Sequence, residues 1–278
     1  MSQAHVHAIG SIGEHLRAWR QRRRRSQLDL ACDAEISCRH LSFIETGRSA
    51  PSRAMILRLA EELEVPPRER NVLLTAAGFA PIFPEHALND AALARAREAI
   101  DHIIASQAPY PAFALDRHWT IVASNSALPE LYVDVAPHLL ARPVNAMRLS
   151  LHPEGMAPNI LNYTEWRDHL LMRLRRQVEL TADPTVIALL EEVSAYPRPP
   201  SSKAVRLAPD PAAVAVPFRV ASPLGELSFV STTTVFGTPI DITLSELMLE
   251  LFFPADAETA RIVAATAGRP TPDAGRIF

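Results

Sequence analysis

The sequence predicts a multidomain fold, in which an all-α head of five short helices is followed by an α+β domain with an antiparallel sheet. A chain of 278 residues, 48% of them hydrophobic, is long enough for two domains with real cores. Apolar residues recur every three or four positions in the head, whereas alternating runs rich in β-branched residues come later. Residues 1–83 contain 12 arginines against 9 acidic residues, a net charge of +3, and residues 84–278 carry a net charge of −6. This asymmetry is typical of an anion-binding head on an acidic body.

Recognisable starts and ends delimit the five helices of the head. Ser26 and Ser37 each precede a helical pattern and are predicted to cap the helix that follows. Gly47 is predicted to end the third helix, because glycine readily adopts the left-handed conformation found at helix ends. Pro67 suits the first turn of the fifth helix. The predicted helices cover residues 12–22, 26–35, 37–47, 52–63 and 66–79.

The second and third helices, joined by a short turn, constitute a helix-turn-helix. The elements "SQLDLA", "IS", "LSFIETGRSAPS" and "ILRLAEEL" follow one another in this order, and residues 11–78 thereby resemble the phage-repressor, or xenobiotic-response-element, family of helix-turn-helix regulators. The resemblance implies that the third helix enters the major groove of a double-stranded DNA operator. A glycine is usual in the turn before that helix, and here Ala34, Glu35 and Ile36 stand in its place.

The same resemblance implies which side chains contact DNA. Residues at the start of the third helix face the groove, and the glutamine that begins the second helix lies beside a phosphate. Arg39 is the one side chain in the groove-facing set able to bind guanine O6 and N7 together, so it is the main specificity candidate, although a phosphate contact alone stays open for it. Glu45 is expected to pair with an arginine inside the head. The predicted DNA-contacting residues are Gln27, Ser37, Cys38, Arg39, Ser42, Arg48 and Arg24.

A boundary between domains is predicted near residues 78–90, where closely spaced prolines interrupt the helical pattern. The run from Leu88 to Ser106 is amphipathic, and a helix in this place is commonly either a connector or a dimer seam. The predicted organisation is a DNA-binding head at residues 1–83, a connecting helix at 84–106, a second domain at 107–268 and a tail at 269–278.

Four predicted strands and two covering helices make up the second domain. The turn "DRH" after the first strand is a hairpin signature, and Asn125 is expected to cap a short helix that follows the hairpin. A turn at Gly237 and Pro239 is expected to join the last two strands, which are rich in β-branched residues. The strands are predicted at residues 112–115, 119–123, 227–236 and 240–253, and the helices at residues 163–179 and 184–196.

Several long segments of this domain carry a second resemblance. The segments "NAMRLSLHPEGMAPNILNYTEWRDHLLMRLRRQVE", "DPTVIALLEEVSAYP" and "LGELSFVSTTTVFGTPIDITLSELMLELFFPADAETARI" look like the ligand-binding domain of the MmyB-like transcription regulators. This resemblance covers about residues 107–265 and, with the head, almost the whole chain. It implies a PAS-like fold and a homodimer that binds DNA and senses a small apolar or fatty-acid-like ligand.

The residues alone leave two interpretations of the second domain open. A sheet with hydroxyls among apolar side chains, covered by helices, could enclose an amphipathic cavity. Threonine is also simply a good strand residue, so a solid core remains an alternative, and the domain would then serve protein interaction or dimerisation without a ligand. The predicted cavity lining is Trp119, Met147, Leu151, Trp166, Leu170, Thr232, Thr234 and Phe236.

The sequence gives no sign of catalysis. His152 and Glu154 occur together in "HPEG", but we find no glycine-rich phosphate loop, no G-x-S-x-G elbow and no paired-histidine metal motif. The spacing of Cys32 and Cys38 matches no zinc pattern. We therefore expect no enzyme activity, no metal and no cofactor. Without a signal peptide or an apolar run long enough for a membrane span, the protein is expected to be cytoplasmic, with reduced thiols and no membrane partner.

Overall fold

The computed structural model describes residues 10–199, 215–237 and 240–266. The chain divides into two compact units, the first containing Met1–Glu85 and Glu179–Ala182 and the second containing His86–Val178 and Asp183–Phe278. The predicted C-terminal tail, residues 269–278, lies outside the described residues.

The first unit is the predicted all-α head. Its five helices are α1 Ile12–Arg22, α2 Gln27–Asp33, α3 Cys38–Glu45, α4 Arg53–Glu62 and α5 Pro67–Ala76. The predicted caps are confirmed, since the Ser26 and Ser37 hydroxyls accept hydrogen bonds from amides in the first turns of α2 and α3. Gly13 allows α1 to approach α3 closely, because a Cβ at this position would lie 2.5 Å from the Ile44 carbonyl oxygen. The apolar faces meet in one buried cluster that includes Leu16 and Leu41.

The turn between α2 and α3 adopts the usual backbone conformation although it lacks the usual glycine. Glu35 adopts a left-handed conformation with φ of 49°, and the amide of Ile36 donates to the Ala31 carbonyl at 2.9 Å. This is the Schellman arrangement that normally ends in glycine. A residue with a Cβ pays about 1 kcal/mol for that conformation, so Glu35 is a strained position in an otherwise regular motif.

The second unit contains the predicted antiparallel sheet within an α+β fold. Its described strands are β1 Ala112–Leu115, β2 Ile121–Ser124, β3 Phe218–Ser222, β4 Gly225–Thr234 and β5 Met248–Pro254. They lie in the order β2-β1-β5-β4-β3, and each neighbouring pair is antiparallel. Its described α-helices are α6 Ala94–Ser106, α7 Pro137–Leu140, α8 Ala146–Leu151, α9 Tyr163–Thr181, α10 Pro184–Ala195, α11 Ile242–Ser245 and α12 Ala257–Thr266.

Strand alternation sends the two faces of the sheet into different clusters. In β1, Phe113 and Leu115 join the large core formed with α8, α9 and α10, whereas Ala112 and Ala114 pack on the opposite side. Ile100 of α6 belongs to that opposite cluster. The helix expected to connect the domains is therefore part of the second unit, and it covers one face of the sheet.

Two strands begin later in the chain than predicted, each because a side chain caps a turn. The second strand does not start at Trp119, which adopts a φ of 65°, because the Asp116 carboxylate accepts the amides of His118 and Thr120 at 2.8 Å and closes a turn. The last strand begins at Met248, because Asp241 accepts the Thr243 amide at 2.9 Å and starts α11. Pro239, expected in the preceding turn, lies outside the described residues.

Two further features differ from the prediction. Asn125 does not cap a helix. Its side chain accepts the Ala112 amide at 3.1 Å and donates to the Tyr110 carbonyl at 2.8 Å, which fastens the start of β1. Strand β3 was not predicted, and it pairs with β4 at the edge of the sheet.

Candidate DNA-binding face and ligand cavity

Helix α3 exposes its first residues to solvent and buries one side of its remaining length. Ser37, Cys38 and Arg39 are exposed, whereas Leu41 and Ile44 are fully buried in the head. The Ser37 hydroxyl accepts the His40 amide at 3.1 Å, which fixes the first turn. Polar residues at an exposed helix start are what a recognition helix needs to reach base edges.

Arg39 and Arg48 lie on the same aromatic side chain. Their guanidinium carbons are 5.2 Å and 5.9 Å from the centre of the Phe43 ring. Both arginines are exposed, while Ser42 is half-buried. The structure thus brings two of the predicted DNA-contacting cations to one side of α3.

A buried ion pair links α3 to α1. Arg20 of α1 donates to both carboxylate oxygens of Glu45, from Nε at 2.7 Å and from Nη2 at 2.9 Å, which confirms the expected pairing of Glu45. Burial acts to raise the pKa of Glu45, but the hydrogen bonds from Arg20 and Gln27 outweigh it and hold the pKa below its usual range. Gln27 Nε2 donates to Glu45 Oε2 at 2.8 Å, so the glutamine predicted to contact phosphate also contacts this pair.

The arginine run before α2 is partly structural. Arg23 donates to the Leu63 carbonyl at 2.8 Å, and Arg25 donates to the Glu62 carbonyl at 2.9 Å and pairs with Asp33. Arg24 occupies a left-handed position with φ of 52° and is exposed. Arg24 is therefore the member of this trio that is most accessible to a phosphate.

The second unit contains a cavity of about 70 Å³ between the sheet and the helices. Its walls are mainly apolar, and the residues that line it are Phe113, Leu115, Trp119, Ile121, Leu128, Leu131, Ala146, Met147, Leu149, Ser150, Met156, Trp166, Leu170, Arg173, Phe218, Glu250 and Phe252. The indole N–H groups of the two tryptophans are satisfied, by Gln177 Oε1 at 2.6 Å for Trp119 and by Ser150 Oγ at 3.0 Å for Trp166. The cavity is thus an apolar space whose aromatic walls are held in place by hydrogen bonds.

One corner of the cavity is charged. Among the described residues that line it, Arg173 and Glu250 are the only charged ones, and they form an ion pair. Thr233 Oγ1 donates to Glu250 Oε1 at 2.8 Å, and the Arg173 guanidinium carbon lies 4.9 Å from the centre of the Trp119 ring. An apolar space with one charged corner suits a ligand that has an apolar body and a polar end.

Four of the eight predicted lining residues border the cavity, namely Trp119, Met147, Trp166 and Leu170. Leu151 is wholly buried in the same core cluster but does not line the cavity. Phe236 packs in the cluster on the opposite face of the sheet. These two residues are not part of the cavity wall, because burial alone does not bring a side chain to it.

Thr232 and Thr234 lie on the face of the sheet that does not line the cavity. They pair with Leu251 and Leu249, which pack on the α6 side of the sheet, and both threonines are exposed. Thr233 pairs with Glu250 and so faces the cavity side. The alternation was predicted correctly, but it does not tell which of its two faces is inside.

The two units together define a class of protein, a helix-turn-helix DNA-binding regulator with an attached small-molecule-binding domain. Residues 11–73 match the family model of a helix-turn-helix domain, and residues 96–265 match the ligand-binding domain of the MmyB-like transcription regulators. The chain belongs to the MmyB-like transcription regulators. No curated protein matches the chain. Both matched domains are regulatory rather than catalytic, and none of the described helices is long and apolar enough to cross a bilayer.

Proposed function

We propose that this protein reads a specific operator with α3 and that its affinity for DNA changes when a small, fatty-acid-like molecule enters the cavity of the second unit. The observation that carries the proposal is the cavity itself, with apolar walls and the Arg173–Glu250 pair at one corner. Arg173 suits a carboxylate or another polar end, and the aromatic and aliphatic walls suit an acyl chain.

The size of the cavity indicates how a ligand acts on the protein. At about 70 Å³ it is smaller than the engineered apolar cavity of about 150 Å³ that binds benzene. An acyl chain therefore enters only if wall side chains move, and Met147 and Met156 are the flexible members of the wall. A ligand regulates by binding one conformational state better than another. A cavity that must widen provides such a difference.

We also propose that the protein acts as a homodimer on a repeated operator in the cytoplasm, where its exposed thiols, Cys32 and Cys38, stay reduced. A single small head buries too little surface for tight specific binding, so two heads are expected on half-sites about one DNA turn apart. Analytical ultracentrifugation measures the number of protein chains in the complex with DNA, and footprinting measures the number and spacing of the half-sites. A monomer bound to one isolated half-site would contradict the dimer.

The ligand proposal is tested by extracting the purified protein with organic solvent and identifying bound small molecules by mass spectrometry. Each identified molecule is then added to stripped protein, and the shift in thermal unfolding is measured. We expect an acyl-like molecule that stabilises the second unit.

A matched pair of variants locates the binding. Ala146→Phe adds a ring at the cavity wall and should abolish the shift, whereas Thr234→Trp adds bulk at an exposed strand position and should retain it. If neither extraction nor addition reveals a ligand, the second unit is instead a protein-interaction or dimerisation module.

A further inference from the structure

Three metal-binding side chains converge in the second unit, away from the cavity walls. His138, His152 and Glu154 each place a potential ligand atom within 4.8 Å of the others. His138 lies on α7, while His152 follows α8 and Glu154 comes two residues later. The Ala136 amide donates to the Glu154 carbonyl at 2.9 Å and holds the two segments side by side. The cluster is therefore a product of the fold and not of one linear motif.

Neighbouring groups fix the central imidazole. The His152 ring packs edge-to-face against His138 at 5.7 Å and against Tyr196 at 4.9 Å between ring centres. The Glu154 amide donates to His152 Nδ1 at 3.1 Å, which fixes the orientation of the ring beside the Glu154 backbone.

The loop that carries His152 and Glu154 is closed by its own backbone. The Gly155 amide donates to the His152 carbonyl at 2.9 Å, and the Met156 amide donates to the Leu149 carbonyl at 2.8 Å. A Cβ at Gly155 would lie 2.4 Å from the Leu149 carbonyl oxygen, so only glycine allows the chain to return here. Two of the three potential metal ligands, His152 and Glu154, therefore lie on a rigid turn, which lowers the conformational entropy lost when a metal ion binds.

We propose that His138, His152 and Glu154 bind one divalent transition metal ion, namely Zn²⁺. Two imidazole nitrogens and one carboxylate suit zinc and its neighbours, whereas Mg²⁺ and Ca²⁺ prefer oxygen ligands alone. Zinc bonds of about 2.0 to 2.2 Å bring ligand atoms to roughly 3.4 Å from one another. His138 and Glu154 are exposed and reach that spacing by small side-chain rotations.

The site lies next to the cavity, so a bound metal ion would affect the cavity wall. The His152–Gly155 turn joins Leu149 to Met156, and both of these residues line the cavity. A metal ion that links α7 to this turn restrains one wall of the cavity. No metal is expected from the sequence because it contains no paired-histidine motif, and His138 lies 14 positions before His152, which fits no linear zinc pattern.

The test uses the untagged full-length protein, with Zn²⁺ titrated in competition with a chromogenic chelator. We expect one tight equivalent per chain in the wild type. His138→Ala and Glu154→Gln alter exposed side chains and should each weaken binding by about tenfold or more, since each removes a ligand. His152→Ala should abolish tight binding, and circular dichroism checks that this variant is folded.

Two control variants separate the cluster from incidental histidine binding. His102 is exposed on α6, and His102→Ala should leave the affinity unchanged. His5 and His7 lie outside the described residues, and replacing both by alanine should also leave it unchanged. Zinc should raise the melting temperature of the wild type but not of His138→Ala. Zinc affinity that survives both His138→Ala and Glu154→Gln, or that falls only when His5 and His7 are replaced, would overturn the proposal.

Discussion

Each unit of this protein contains a buried arginine–glutamate pair, and the two pairs are built differently. In the head, Glu45 receives Arg20 on one oxygen and both Arg20 and Gln27 on the other. In the second unit, the bonds from Arg173 and Thr233 converge on a single oxygen of Glu250. The head pair also includes a residue of α3, the proposed recognition helix, whereas the other pair borders a cavity.

The difference indicates that similar chemistry serves two purposes. A carboxylate bonded on both oxygens holds α1, α2 and α3 in one arrangement and has little freedom to rearrange. Where the carboxylate is bonded on one oxygen only, beside an open space, its arginine can exchange that partner for a ligand. Under the proposed function, the head is therefore a fixed reader of DNA, and the second unit is the part of the protein that responds to a ligand.

The largest effect is expected from Glu45→Ala. It leaves Arg20 buried without an anionic partner, which should lower the stability of the head by about 3 to 5 kcal/mol. Glu250→Ala is the matched variant, and it should cost the second unit less, about 1 to 2 kcal/mol, because Arg173 keeps Thr233 and can be hydrated from the cavity. Hydrogen exchange of amides in α3 and in β5 reports the two units separately. Equal losses of stability in the two variants would show that the two ion pairs do not differ in this way.

A smaller effect separates the exposed arginines of the head. Arg39→Ala should cost about 1 to 3 kcal/mol on the operator and relax the preference at one base position, if the contact to guanine is bidentate. Arg24→Ala should weaken all DNA sequences about equally and reduce the salt dependence by about one contact. Fluorescence anisotropy on the operator and on single-base variants measures both, at several salt concentrations. A uniform loss in both variants would mean that Arg39 contacts only phosphate.

Relief of backbone strain should stabilise the head by about 1 kcal/mol in Glu35→Gly, because glycine adopts the left-handed conformation freely. The exposed Arg58–Glu35 ion pair that is lost contributes little. Glu61→Gly, at an exposed position inside α4, is the matched control and should destabilise by a similar amount. Thermal unfolding of the head measures both changes. A loss of stability in Glu35→Gly would show that Glu35 is not strained.

The pH dependence of the head should follow Glu45. Since its pKa is lower in the folded state than in the unfolded state, its contribution to stability is complete above the unfolded pKa of about 4.3 and disappears as the pH falls through the folded pKa. Urea unfolding between neutral and acidic pH should show this loss in the wild type and a flatter curve in Glu45→Gln. If stability falls with the same slope in the wild type and in Glu45→Gln, other carboxylates are responsible for the acid sensitivity.

The head was largely predictable because its signals are local. Each of Ser26 and Ser37 lies within three residues of the amide it caps, and Gly47 marks the end of α3 by its own conformational freedom. The strain at Glu35 could be suspected only from the missing glycine, since its φ is a property of the folded turn.

The cavity was less predictable because its determinants lie far apart in the chain. Arg173 and Glu250 are separated by 77 positions and meet only when α9 covers the sheet. Alternation in β4 gave two possible faces, and the pairing of Thr233 with Glu250 decides between them. Asp241 redirects the segment before β5 into a helix, although the residues that follow it are good strand formers.

The proposed function requires that a ligand in the cavity changes DNA binding by α3. The most direct measurement is the operator dissociation constant of stripped protein with and without the molecule extracted from it, for the wild type and for Ala146→Phe. We expect a change of about tenfold or more in the wild type, equivalent to about 1.4 kcal/mol, and no change in the variant. An operator affinity that is the same with and without the molecule in the wild type, or that shifts equally in Ala146→Phe, would contradict it.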